Sequence, residues 1–400
     1  MCLDCPWCHL APGTMPMWRL VWQKFKPTKM YFDRICAAAF ALWPMLATAQ
    51  VKVQFQLQSQ ADTANYYVAG SFNGWQPNDA ESRFDQRGRL TKTVAKGSVQ
   101  SFKITRGSWQ TVECRSSGAD VDNRVFIASS DTILLLKVEA WKDAFAPAIK
   151  RHTASVNVRL YDSTFSMIPL DRRRSISVYL PPNYDAQPNK RYPVLYLQDG
   201  QNCFDSYNAA FGEWEVDETL DRYYTKLRRS MIVVAIDNGG NQRLTEYNPY
   251  NHAKFGKGEG QQYAQFLAKT LKPQIDAKYR TLSNKANTHV AGSSMGALIS
   301  CWTVLQYPEL FGSAGIFSPA FWVAPQLAQD IAKRAKGYKG KLFFYAGGKE
   351  SASMVPDMDA VVNAFKRVST ADVKRLVSAP GQHNEKSWRQ HFVDYIKFIL

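Results

Sequence analysis

Residues 292–296 carry a G-x-S-x-G pattern centred on Ser294. The apolar stretch His289-Val290-Ala291 precedes it, and a helix pattern from Ala297 follows. In this context the two glycines allow a tight strand-to-helix turn, which exposes the serine hydroxyl at the end of a sheet. The N-terminus of the following helix favours developing negative charge. The pattern therefore predicts Ser294 as a nucleophile in acyl transfer.

A serine hydroxyl needs a base to accept its proton, and histidine is the usual base near neutral pH. Of the six histidines, His383 lies after the last predicted strand and before the last predicted helix. That is the position of the base in hydrolases with the chain order serine, acid, histidine. We assign His289 to a strand and His391 to the solvent-facing side of the last helix. His383 is therefore the predicted general base.

The acid that orients the histidine should follow an intervening strand. Glu350 comes at the carboxyl end of the predicted strand 341–345, where loops carry the site in open α/β sheets. Asp357 is the alternative, and its other interpretation is the cap of the next helix. We prefer Glu350. An oxyanion hole needs two backbone N–H groups, for which the candidates are Met295 and Gln201, the latter after the close-packing Gly200.

Strand and helix patterns alternate in the second part of the chain, which predicts a mostly parallel sheet with helices on both faces. The predicted strands are 174–180, 193–197, 231–236, 288–291, 313–317, 341–345 and 374–377, and the helices are 262–278, 297–306, 326–336 and 357–368.

The first part of the chain shows short alternating stretches with Asn-Gly and Arg-Gly turns, which predict a small β-sandwich. The predicted strands there are 51–57, 66–70, 90–94, 101–104 and 133–136. We expect a β-sandwich over 50–142, a linker over 143–152 and the larger domain over 153–400. Two domains also suit a length of 400 residues.

The N-terminus has the three parts of a secretory signal peptide over 30–49. Basic residues precede an apolar run, and Ala47-Thr48-Ala49 supplies a small-x-small cleavage site. Residues 1–29 then become an upstream extension of the gene, and the cysteines at 2, 5, 8 and 36 leave with the leader. Cys114, Cys203 and Cys301 remain, too few for a disulfide framework. These features predict a periplasmic or secreted protein without a stable membrane anchor.

The net charge of +16 raises the question of an anionic partner. No helix-turn-helix, zinc-finger or RNA-binding signature accompanies it, so we expect no nucleic-acid partner. The densest basic cluster, residues 172–174, opens a strand and is interpreted as a solvated edge. The basic surface instead suits anionic envelope material or an anionic or ferric-chelate substrate.

Several separated motifs over residues 153–400 resemble the putative-esterase group of α/β-hydrolases, which includes enterochelin-type, feruloyl and acetyl-xylan esterases. They are Val178-Tyr179-Leu180-Pro181-Pro182-Asn183-Tyr184, Tyr196-Leu197-Gln198-Asp199-Gly200-Gln201-Asn202, Asp237-Asn238-Gly239, Arg243-Leu244-Thr245-Glu246-Tyr247, the Ser294 segment, Phe317-Ser318-Pro319-Ala320-Phe321-Trp322 and Gly381-Gln382-His383-Asn384-Glu385.

The resemblance implies an α/β-hydrolase with Ser294, His383 and an acidic partner, and with neither metal nor organic cofactor. It also marks Arg243, Glu246 and Tyr247, which either brace the active-site loop or touch substrate.

The sandwich resembles the Ig-like early-set modules related to glycogen-binding domains, through 68–75 and 102–109. Trp75 and Trp109 are candidates for stacking on a sugar, and core packing is the alternative.

The predicted function is a serine esterase that forms an acyl-enzyme on Ser294. Its substrate is a small-molecule or oligosaccharide ester, either a carbohydrate-linked acyl ester or a siderophore-type lactone. Two alternatives remain open. One is an acyltransferase that uses the same three residues, and the other is a glycan-binding protein with a vestigial hydrolase domain. The sequence does not determine the oligomeric state.

Overall fold

The alternating segments near the N-terminus form eight short strands in the computed structural model of this protein. They are β1 Gln50–Leu57, β2 Tyr67–Gly70, β3 Arg89–Ala95, β4 Val99–Thr105, β5 Glu113–Cys114, β6 Arg124–Ile127, β7 Thr132–Leu136 and β8 Ala140–Trp141. They pair in the orders β3-β1-β7, β2-β4-β6 and β5-β8. Inward-facing residues such as Val53, Phe55, Phe102 and Ile104 share one hydrophobic core, so these strands are compatible with a β module.

The structure describes residues 49–58, 65–146, 151–209, 212–252 and 256–400. The predicted upstream extension and the signal peptide, except its last residue, lie outside these ranges, as does part of the predicted linker. The described residues all belong to one compact unit, Thr48–Leu400. A single unit gives no boundary between the predicted β-sandwich, linker and larger domain, so these domain boundaries stay predictions.

The second part of the chain builds one eight-stranded sheet. Its strands are β9 Val158–Ser166, β10 Arg173–Tyr179, β11 Val194–Gln198, β12 Ile232–Ile236, β13 Thr288–Ser293, β14 Ser313–Phe317, β15 Lys341–Gly347 and β16 Asp372–Ser378. The spatial order is β16-β15-β14-β13-β11-β12-β10-β9. Every neighbouring pair among β11 to β16 is parallel, whereas β10 is antiparallel to both of its neighbours, β12 and β9. The carboxyl ends of six parallel strands consequently share one edge.

Helices cover both faces of this sheet. They are α1 Val216–Leu227, α2 Arg243–Glu246, α3 Gly260–Gln265, α4 Lys272–Lys278, α5 Met295–Gln306, α6 Leu327–Arg334, α7 Met354–Val368 and α8 Glu385–Ile399, with a π-helical turn at Phe266–Leu271 joining α3 to α4. Alternate strand residues enter different cores: Tyr196 packs with α5, whereas Leu195 and Leu197 pack with α1 and α8. The predicted α/β-hydrolase architecture is confirmed.

In the second part of the chain, β9, α1 and the short α2 have no counterpart among the predictions, and in the first part the same holds for β5, β6 and β8. Strand β9 is mostly exposed, because it is the edge strand and has only one neighbour. It therefore lacks the continuous apolar run by which buried strands are recognised. Within the described ranges, no helix has the length and apolar character needed to cross a membrane.

Candidate active site

Ser294 lies at the turn between β13 and α5 with φ 57° and ψ −119°, a conformation that non-glycine residues rarely adopt. Its N–H donates to the Phe317 carbonyl at 2.9 Å. A Cβ on Gly292 would lie 2.7 Å from the Gly296 carbonyl carbon, so only glycine fits there. The crowded backbone thus imposes the sharp turn, and Ser294 stays half-exposed at its apex.

His383 and Glu350 meet at the same edge of the sheet. The Nδ1 atom of His383 lies 2.7 Å from Oε2 of Glu350, and the Glu350 side chain is almost wholly buried. The other carboxylate oxygen, Oε1, accepts hydrogen bonds from the Gly347 N–H at 2.5 Å and from the Ser318 hydroxyl at 2.6 Å. Both oxygens of Glu350 are therefore engaged, and its carboxylate has a defined orientation toward His383.

Ser318 connects this acid to α8, and sequence reasoning assigned it no role. Its Oγ accepts a hydrogen bond from Trp388 Nε1 at 2.8 Å while it donates to Glu350. The Trp388 ring packs edge-on against His383, with centroids 5.2 Å apart. Ser318 occurs in the motif 317–322 quoted above, and Trp388 follows the motif 381–385 by three residues, which is the signal that the sequence offered for them. Together they fix the acid and limit the rotation of the imidazole.

The structure does not bring Asp357, the alternative acid, into contact with His383. Asp357 lies in the first turn of α7, and burial raises the pKa of its carboxyl while a hydrogen bond to Ser353 lowers it. His289 is buried in β13 beside Ser313, and burial lowers its pKa to about 3. The predicted solvent-facing position of His391 is wrong, because its ring stacks on Tyr345 at 4.9 Å.

The two oxyanion candidates occupy the starts of helical turns. Met295 is the first residue of α5, so its N–H has no acceptor within the helix. Gln201 lies in the short 3-10 turn Gly200–Asn202, where the Asn202 N–H is the first to bond back within the turn. Gly200 lies against the backbone of β12, since a Cβ there would be 2.8 Å from the Ile236 carbonyl carbon.

Arg243 holds the turn that carries Gln201. Its Nε and Nη2 donate to the two carboxylate oxygens of Asp199 at 2.6 and 2.9 Å, and Asn238 Nδ2 donates to Oδ1 at 2.7 Å. Burial alone would lower the pKa of Arg243, but the Asp199 carboxylate outweighs it and raises that pKa. Asp199 has a left-handed backbone (φ 58°), so this ion pair stabilises a conformation with an intrinsic cost.

Glu246 and Tyr247 are fully buried, and their contacts are with protein groups. Glu246 accepts hydrogen bonds from Arg172 at 2.9 Å and Arg174 at 2.5 Å. The interpretation of residues 172–174 as a solvated edge is therefore wrong for these two arginines, which neutralise a buried carboxylate, and holds for the exposed Arg173. Tyr247 packs beneath the Arg243 guanidinium at 5.3 Å from the ring centroid. These contacts favour loop bracing over substrate contact.

Several acids near the site carry raised pKa values. Glu385 begins α8, its Oε1 accepts from Asn202 Nδ2 at 3.3 Å, and burial raises its pKa to about 8. Near the start of α1, Glu213, Asp217 and Glu218 form the one close group of three possible metal ligands within the described ranges. Burial raises the pKa of Glu213 to about 7, and burial with a hydrogen bond to Asp217 raises that of Glu218 to about 8.

Trp75 and Trp109 lie together on the N-terminal strands, with ring centroids 6.4 Å apart and planes at 34°. Both are half-exposed. The pair thus belongs neither to the buried core nor to an open surface, and sugar stacking stays a prediction.

Comparison with known proteins places these features in a family. The family model described as Putative esterase matches residues 169–399, more than half of the chain. The uncharacterized protein YbbA of Bacillus subtilis (strain 168) is 28% identical over 188 residues, which are 44% of this chain and 69% of YbbA. The endo-1,4-beta-xylanase/feruloyl esterase of Xylanibacter ruminicola is 26% identical over 234 residues, 57% of this chain but only 29% of that longer protein.

Among solved structures, the BES protein from Bacillus cereus aligns with a TM-score of 0.52 at 17% identity, covering 64% of this chain and 99% of that one. This likeness shows a shared fold. With the match to the family model, it follows that this chain belongs to the putative esterase family of α/β-hydrolases and is a carboxylic ester hydrolase.

Proposed function

We propose that the chain hydrolyses its ester through an acyl-enzyme formed on Ser294, with His383 as the general base and Glu350 as the orienting acid. The observation that carries this proposal is the 2.7 Å contact between His383 Nδ1 and Glu350 Oε2. It lies at the sheet edge where the turn after β13 presents Ser294. Three strand ends thus supply a nucleophile, a base and an acid.

The direction of the His383–Glu350 hydrogen bond determines which nitrogen acts. Because Glu350 accepts at Oε2, Nδ1 of a neutral His383 carries the proton and Nε2 is the acceptor. Nε2 takes the Ser294 proton as Oγ attacks the ester carbonyl, and the imidazolium then protonates the leaving alcohol. In the second half-reaction a water molecule loses its proton to Nε2 and attacks the acyl carbonyl. The imidazolium then returns that proton to Ser294 Oγ as the Oγ–acyl bond breaks, which releases the acid and restores the free serine.

The oxyanion of each tetrahedral intermediate needs two fixed N–H donors. We assign these to Met295 and Gln201. The start of α5 at Met295 supports the first assignment, since its N–H is free of intrahelical bonding. The Asp199–Arg243 ion pair and the close packing of Gly200 support the second, because they hold the Gln201 backbone rigidly before substrate arrives.

For the substrate we propose an acyl ester carried on carbohydrate. The Xylanibacter relative is named as a feruloyl esterase, which supports this class. The half-exposed pair Trp75 and Trp109 offers aromatic faces that match an apolar sugar face. The signal-peptide pattern over 30–49 supports a secreted or periplasmic location, where such polymers are met.

The proposed function is tested with the purified full chain and Ser294→Ala. We expect kcat on p-nitrophenyl acetate to fall by at least about 10⁴-fold and labelling by a fluorophosphonate probe to disappear. Ser300→Ala is the matched control. It removes a buried hydroxyl from α5 that, within the described part of the chain, donates to the Gly296 carbonyl of the same helix. Ser294→Ala hydrolysing as fast as the wild type would overturn the proposal.

The substrate class is tested by comparing feruloylated xylooligosaccharide, acetylated xylan and a catecholate trilactone. We expect the highest kcat/KM on one of the two xylan-derived esters, with the free acid as product. Preference for the trilactone would replace the substrate class and leave the acyl-enzyme mechanism intact. An acyl group recovered on an added acceptor alcohol would identify a transferase.

A further inference from the structure

A strand of the N-terminal module contacts the loop that carries the proposed catalytic acid. We call residues 347–352 the acid loop. The Oγ of Ser101, in β4, lies 2.6 Å from the carbonyl oxygen of Glu350 and 3.3 Å from that of Lys349. The Ala352 N–H donates to the Val99 carbonyl at 3.0 Å. The module thus bonds to the main chain of the acid residue itself.

The opposite side of the acid loop bonds to the segment that leads to His383. The Lys349 N–H donates to the Gly381 carbonyl at 2.9 Å, and the Gly348 N–H donates to the Ser378 carbonyl at 2.8 Å. A Cβ on Gly347 would lie 2.4 Å from the Gly381 oxygen, so the two backbones are in direct contact. The acid loop is therefore held between the histidine segment and β4.

Ser101 is placed for this contact by the alternation of β4. Phe102 and Ile104 point into the hydrophobic core of the module, so Ser101 points to the other face of the strand. Ser101 is only 1% exposed, and within the described part of the chain its hydroxyl bonds to two acid-loop carbonyls. A buried hydroxyl and a buried carbonyl each need a partner, and here each satisfies the other.

We infer that Ser101 is a positioning residue for catalysis: its hydroxyl fixes the peptide of Glu350 and, through it, the carboxylate that orients His383. This inference rests on the proposed function, since it requires Glu350 to be the acid. The geometry of the contact explains the effect. A hydrogen bond to the Glu350 carbonyl restrains the backbone next to the Cα atom from which the side chain projects, and the Oε2 of that side chain must remain 2.7 Å from His383 Nδ1.

The test is a double-mutant cycle on the full chain. Ser101→Ala should lower kcat about tenfold with KM unchanged, because misplaced catalytic groups slow the chemical step rather than binding. In the Glu350→Gln background the same substitution should change kcat by less than twofold, since Ser101 acts through Glu350. If Ser101→Ala does not fold, Ser101→Cys is the second variant. Its side chain has about the same size but is a weak hydrogen-bond donor, so it should also lower kcat.

Ser82→Ala is the matched control, because it removes a fully buried hydroxyl from the same module. That hydroxyl donates to Asp79 and accepts from Asn73, and both partners lie within the module. It should leave kcat unchanged. Equal losses in the wild-type and Glu350→Gln backgrounds, or a kcat within twofold of wild type for both Ser101→Ala and Ser101→Cys, would overturn the inference and leave the proposed function intact. Full activity of Glu350→Gln would instead overturn the proposed acid, and the inference with it.

Discussion

Two loops at the carboxyl edge of the large sheet are held by different kinds of interaction. The oxyanion loop, Asp199–Asn202, depends on a charged contact, because Arg243 donates two hydrogen bonds to the buried Asp199 carboxylate. The acid loop depends on neutral donors, the Ser318 and Ser101 hydroxyls and the Gly347 N–H. A loop that carries a carboxylate needs donors without a competing cation, whereas a loop that presents N–H groups tolerates an ion pair behind it. The two loops should consequently respond differently to substitution.

The largest effect is expected from Glu350→Gln in the acid loop. Glutamine has the same shape, so the Tm should stay within about 2 °C of the wild-type value. The kcat should fall by about 10³-fold to 10⁴-fold, because an amide cannot accept the Nδ1 proton in the same way and the imidazole adopts the wrong tautomer. Steady-state kinetics and thermal denaturation measure both. A parallel loss of Tm and kcat would show that the acid loop needs the Glu350 charge for stability. That result would contradict the proposed difference between the two loops.

An intermediate effect is expected from Arg243→Met in the oxyanion loop, where stability and activity should fall together. The Asp199 carboxylate would remain buried without its cation, at a cost of roughly 3 kcal/mol in the free energy of unfolding. Denaturant titration measures this loss.

The double variant Arg243→Met with Asp199→Asn should recover part of that stability, because it removes the unpaired charge. Arg173→Ala is the control, since Arg173 is an exposed arginine at the start of β10. No recovery in the double variant would contradict the electrostatic account of this loop.

The smallest effect concerns pH and Glu385, which contacts Asn202 of the oxyanion loop. Its pKa is about 8 in the folded protein, against a usual 4.5. The folded state then binds more protons than the unfolded state between these values, so stability is lost as the pH rises from about 5 to 8.

Glu385→Gln removes this ionisation. Its Tm should exceed that of the wild type by about 2–4 °C at pH 8 and match it at pH 5. The exposed Glu309→Gln should show no such pH-dependent difference. A Tm difference independent of pH would contradict the burial of an ionisable Glu385.

Sequence patterns predicted the strands of the large sheet to within a few residues at their ends, because period-two and continuous apolar runs reflect burial directly. The exposed edge strand β9 was not predicted for the same reason. The arginine cluster was misassigned because charge in a sequence does not reveal its partner. Arg172 and Arg174 precede Glu246 by 74 and 72 residues in the sequence, and only the tertiary fold brings them together.

The sequence alone determined the residue types and strand ends from which a serine hydrolase is predicted: Ser294 between two glycines, and Glu350 and His383 after successive strands. Local rules suffice there, because a glycine-flanked turn and a strand end are properties of a few consecutive residues. Only the tertiary structure decided that Glu350 rather than Asp357 bonds to His383, and that Ser318 and Ser101 support it. Ser101 and Glu350 are 249 residues apart, and such a contact arises from packing that no local pattern encodes.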